Sequence, residues 1–103
     1  MLRRGTTPTI LFSLPFDTSI IRNCEIYFSQ NDSLLLTKEL KDMVLSGTYL
    51  AVTLSQEESL LLDEEEKCEI QIRFMFTDGS VDSTTIRKDK VYKILKEGVI
   101  EDV

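Results

Sequence analysis

The chain has 103 residues, 42% of them apolar and 29% charged, which is one globular domain's worth and too apolar for disorder. Eighteen acidic residues against 12 basic ones leave a net charge of −6, which argues against nucleic acid as a main partner. No apolar run nears the ~20 residues a membrane span needs, and the absence of histidine removes every imidazole-based mechanism.

Arg3 and Arg4 open the chain, and polar Gly5-Thr6-Thr7-Pro8 stands where a signal peptide needs an apolar stretch, so the expectation is synthesis in the cytoplasm. Residues 9–14 alternate, with Ile10, Phe12 and Leu14 on one face. Pro8 and Pro15 bracket them, which predicts a short strand at a sheet edge, because proline cannot donate to a ladder. Residues 15–23 connect, with Ile20 and Ile21 expected to tuck into the core. In the next strand Cys24, Ile26 and Phe28 share one phase and Glu25, Tyr27 and Ser29 the other. Gln30-Asn31-Asp32-Ser33 reads as a tight turn into a strand over residues 34–40, with Leu34, Leu36, Lys38 and Leu40 in one phase. Residues 43–45 and 49–54 form a second hairpin around Gly47, with Leu50, Val52 and Leu54 inward.

Ser55-Gln56-Glu57-Glu58 has the form of a capping box and predicts a short helical crossover near residues 56–62. An acidic loop, Asp63-Glu64-Glu65-Glu66, leads into the strongest strand, residues 67–76. There Cys68, Ile70, Ile72, Phe74 and Phe76 alternate with Glu69, Gln71, Arg73 and Met75. Asp78-Gly79 signals a further hairpin, and residues 81–87 return, extended by 91–95 past a kink near Asp89. Residues 96–103 read as a tail beyond a core of roughly 7–95. About seven strands with a turn every 8–12 residues predict an all-β domain spanning 1–103, an antiparallel two-sheet sandwich of immunoglobulin-like type, with a small barrel as the alternative.

Few residues invite chemistry. Cys24 and Cys68 lie outside any CxxC, and each starts an alternating stretch, so both are expected in the core. A disulfide between them depends on whether their strands oppose each other. Glu57 and Glu58 suit a helix's first turn, and residues 63–66 lack the alternating acids and central glycine of a calcium loop. The four glycines form no phosphate-binding pattern, so neither a cofactor nor a metal is expected. Asn31-Asp32-Ser33 matches a glycosylation acceptor, but no secretory signal accompanies it. What remains is a binding or building module without enzyme activity. Its candidate protein contacts are Arg3 and Arg4 as an N-terminal arm, Tyr27 and Tyr49 on polar faces, and Arg87, Lys88 and Lys90. The lysines of that last stretch suit an outer strand guarded against pairing.

The order of these features resembles a family. Arg4-Gly5-Thr6-Thr7-Pro8-Thr9 leads into Leu11-Phe12-Ser13-Leu14. Ile20 and Ile21 precede Cys24-Glu25-Ile26-Tyr27-Phe28. Leu54-Ser55-Gln56-Glu57-Glu58 comes before Glu69-Ile70-Gln71-Ile72-Arg73, and Asp78-Gly79-Ser80-Val81 follows. Over residues 4–95 this is similar to the small immunoglobulin-like domain at the N-terminus of phage baseplate upper proteins, and to short proteins encoded among prophage tail genes. The resemblance implies a virion or virion-assembly protein, with other tail or baseplate proteins or further copies of itself as partners, and no catalytic residues. Baseplate proteins continue into further segments, whereas this sequence runs to Val103. The domain is therefore expected either to act alone or to have shed its relatives' role. An adaptor or inhibitor directed at a host protein is the alternative reading.

Overall fold

A computed structural model describes residues 2–102. Its strands are β1 (Leu2–Arg3), β2 (Thr9–Ser13), β3 (Ile21–Gln30), β4 (Ser33–Glu39), β5 (Met43–Ser46), β6 (Tyr49–Thr53), β7 (Lys67–Phe76), β8 (Val81–Ser83) and β9 (Arg87–Tyr92). One turn of helix, α1 (Gln56–Ser59), lies between β6 and β7. The larger sheet runs β1-β9-β7-β3-β4, with β8 also on β7, and the smaller runs β2-β6-β5.

Period-two alternation builds the core. Cys24, Ile26 and Phe28 of β3, with Cys68, Ile70, Ile72 and Phe74 of β7, point to the inside of the larger sheet. Ile10 of β2, with Leu50 and Val52 of β6, points inward from the smaller one. All belong to one buried cluster, so the two sheets share a single core. Each such aliphatic or aromatic side chain contributes about 1.5–3 kcal/mol by leaving water.

The turns follow their residues. Asn31 and Asp32, at φ 50° and 62°, make the two-residue β3–β4 turn, a twist that matches the strands it joins. Gly47, at φ 56°, opens the β5–β6 turn. At α1 the capping box forms as its spacing predicts. Glu58 N–H donates to Ser55 Oγ at 3.1 Å, and Ser55 N–H donates to Glu58 Oε1 at 2.9 Å.

The structure departs from the sequence expectations at several points. Leu2–Arg3 is a strand, parallel to β9, so the larger sheet is mixed; β1 pairs only with Val91 and Tyr92, and the basic stretch 87–90 pairs with β7 alone. Two residues are too few to carry a periodic signal. The break in the return strand falls at residues 84–86, not near Asp89, which is paired with Cys68 inside β9. Thr84 holds that break, donating its N–H to Ile72 O at 2.9 Å and accepting from Ile72 N–H through Oγ1 at 3.1 Å. A bulge between Phe28 and Ser29 sets Leu34 against Ser29 and Leu36 against Phe28. Leu34 is thereby exposed while Leu36 turns partly inward. Ile20 is exposed rather than core, and its carbonyl accepts from Thr77 N–H at 2.9 Å. Met1 and Val103, the ends of the expected domain and tail, lie outside the described residues.

Candidate docking surfaces

The reactive groups are tied up or dispersed. Both cysteines are free and buried, and burial pushes each thiol up to about 11. Cys24 pairs with Phe74, so Cys68 lies six positions further along β7, about 20 Å away at strand rise. That distance rules out a disulfide in this fold. Among the described residues no group of three or more Cys, Asp or Glu side chains could hold a metal ion.

The residues singled out from the sequence scatter over the molecule. Arg3 donates to Lys93 O at 2.8 Å and lies 5.4 Å from the centre of the Tyr92 ring. Arg4 turns inward, donating from Nε to Leu62 O at 2.8 Å and from Nη2 to Leu60 O at 3.1 Å, and pairs with Glu97. It thus ties the chain's start to the end of α1. Arg87 closes the open side between the sheets. Its guanidinium lies 5.5 Å from the Phe12 ring centre, contacts Leu11 O at 3.4 Å, and meets Asp89 Oδ2 at 3.1 Å. Lys88, opposite Glu69, and Lys90, 5.2 Å from the Tyr92 ring, remain exposed. Tyr27 is half-buried on the outer face of the larger sheet and donates its hydroxyl to Glu25 Oε1 at 2.7 Å. Burial, then that bond, raises its pKa.

Tyr49 stands on a surface of a different kind. On the outer face of the smaller sheet, Leu11 of β2, Ala51 of β6 and Val44 of β5 form one cross-strand row. Ser13, Tyr49 and Ser46 form the next row, and Thr9 with Thr53 the one before, their hydroxyls 2.7 Å apart. Val44 is 68% exposed, Leu11 57% and Tyr49 51%. None of these eight positions carries a charge, whereas the outer face of the larger sheet carries Glu25, Glu39, Glu69, Arg73 and Lys88. The sequence reading found Tyr49 and missed its neighbours. The signal was present, because the segments of β2, β5 and β6 contain no charged residue at all.

A second feature is a groove of about 420 Å³ beside β2 and β8. Phe16, Phe74 and Phe76 form its apolar floor, with Phe16 edge-on to Phe74 at 5.2 Å and to Phe76 at 5.1 Å. Asp82, Ser83, Thr84 and Thr85 form a polar rim. Such a floor and rim suit apolar contact. The chain matches no family model, no curated protein and no solved structure, so what its surfaces do is argued from their own geometry.

Proposed function

We propose that the chain is an immunoglobulin-like module that builds, or helps to assemble, a phage tail or baseplate through protein–protein contacts, without a reaction of its own. The strand order supports this reading, because an immunoglobulin-type sandwich sets B-E-D opposite C′-C-F-G and the chain runs β2-β6-β5 and β4-β3-β7-β9. On that reading β8 and β9 are one interrupted G strand, and β1 adds beside it. The observation that carries a binding role is the uncharged outer face of β2, β6 and β5, where Leu11, Val44 and Tyr49 are exposed together within a rim of hydroxyls, an arrangement that favours protein contact. The assignment to a phage particle rests on the resemblance over residues 4–95.

Mass spectrometry of particles induced from the source strain and purified on a density gradient tests this role. Recovery of the chain at stoichiometric levels supports a structural component. Expression without incorporation overturns that role and leaves an assembly factor or a host-directed binder as the account.

A further inference from the structure

The outer face of the smaller sheet has a chemistry that selects its own partner, and this inference rests on the reading of the chain as a protein-contact module. We infer that two copies of the chain pair through this face, sheet against sheet, with the Leu11–Ala51–Val44 rows in contact.

Three observations favour a second copy over an unlike partner. The first is charge. Each copy carries −6, so two copies repel wherever carboxylates meet, and the β2-β6-β5 face is a place where they can approach without opposing or desolvating an ionised group. The second is self-complementarity. The face consists of an apolar row between a Thr9–Thr53 pair and a Ser13–Tyr49–Ser46 row, every member of which carries a hydroxyl. A hydroxyl both donates and accepts, so such a rim satisfies a copy of itself, whereas a charged partner would find no counter-charge here. A two-fold axis lying in the contact plane sets apolar row on apolar row and hydroxyl on hydroxyl, as an isologous interface requires. The third is shape. Ala51 sits between the larger Leu11 and Val44, so a two-fold axis placed between β6 and β5 sets Val44 of each copy over the dip at the other's Ala51.

The size of the face sets the strength. Three strands of four or five residues cover about 15 by 17 Å, and their contact area is below the ~800 Å² per partner of a standard interface. The dimer is accordingly weak. Because the contact is uncharged and the copies repel at long range, added salt strengthens it. Docking through Lys88 and Lys90 would instead weaken with salt.

Sedimentation equilibrium of the full chain from low micromolar to submillimolar concentration, at low and high salt, tests the inference. The expected result is a monomer–dimer equilibrium that tightens with salt. Val44→Lys and, separately, Leu11→Glu are expected to weaken it at least roughly tenfold, since each places two like charges in the contact. Lys88→Glu, on the opposite side of the molecule, leaves the contact itself intact. Circular dichroism verifies that the variants fold. Hydrogen exchange of the unmodified chain supplies an independent reading, with protection of residues 9–13 and 43–53 rising with concentration. A chain that stays monomeric throughout, or a dimer that ignores both Val44→Lys and Leu11→Glu, overturns the inference. A dimer formed through this face by a chain absent from particles leaves the inference standing and removes only the virion role. A monomer present in particles does the reverse.

Discussion

Lys38 is the most unusual residue in the molecule. It lies on the edge strand β4, yet its side chain is only 9% exposed, with Nζ 2.8 and 3.0 Å from the two carboxylate oxygens of Glu58. The same carboxylate accepts from Ser55 N–H, so one group caps α1 and neutralises a buried ammonium. Removing it strands Lys38. Glu58→Ala is expected to cost about 2 kcal/mol, less than a fully buried pair because Glu58 is partly exposed, whereas Lys38→Met is near neutral. Urea titration of both variants checks the contrast. Burial raises the Glu58 pKa, but the bonds from Lys38 and Ser55 outweigh it and hold the carboxyl below its ordinary 4.5. A depressed folded-state pKa stabilises the fold above the unfolded value, and that stabilisation is lost as pH falls through the folded one. Thermal stability is therefore expected to drop on acidification below about pH 4.5, and less steeply in Glu58→Gln. The cysteines give a simpler expectation. With their thiols pushed up to about 11 and buried, both should resist a thiol reagent in the native protein and react once denaturant is added.

Among the elements, the β3–β4 hairpin carries a local cost. Asn31 and Asp32 both adopt positive φ, which Asn and Asp tolerate better than other side chains but glycine adopts freely. Asp32→Gly converts the turn to the preferred Asn-Gly pair and is expected to raise stability by about 0.5–1 kcal/mol, read as a higher urea midpoint. The register on either side is held by burial of Phe28 and Ile26, so the bulge between Phe28 and Ser29 should persist in that variant.

At the scale of the whole molecule, Arg4 and Gly5 clasp the two ends of the chain. Arg4 joins the carbonyls after α1 to Glu97, and Gly5 lies so close to Ile94 that an added Cβ would sit 2.7 Å from its Cδ1. Gln56 completes the clasp, accepting from Ile100 N–H at 2.8 Å and donating to its carbonyl at 3.3 Å. Arg4→Ala is expected to lower global stability by about 1–2 kcal/mol, and to speed amide exchange over residues 94–102 more than elsewhere. Uniform exchange across the chain in that variant would rule out the clasp as a distinct device.

What local physics dictates was legible in the residues. Alternation over 67–76 marks β7 because its inward positions must be apolar to be buried. Ser55 and Glu58 announce α1 because only that spacing lets both groups reach the exposed amides. The charge-free segments of β2, β5 and β6 were equally open to reading one by one. That they lie side by side and present one uncharged face was decided by which strands pair, and pairing depends on contacts far apart in the chain. The same holds for β1 beside β9, for Arg4 between the chain's ends, and for Arg87 across the sheets. Periodicity reports the conformation of a segment and the face it buries. Only the tertiary structure determines which edge a segment meets, because that choice is made by the whole core at once.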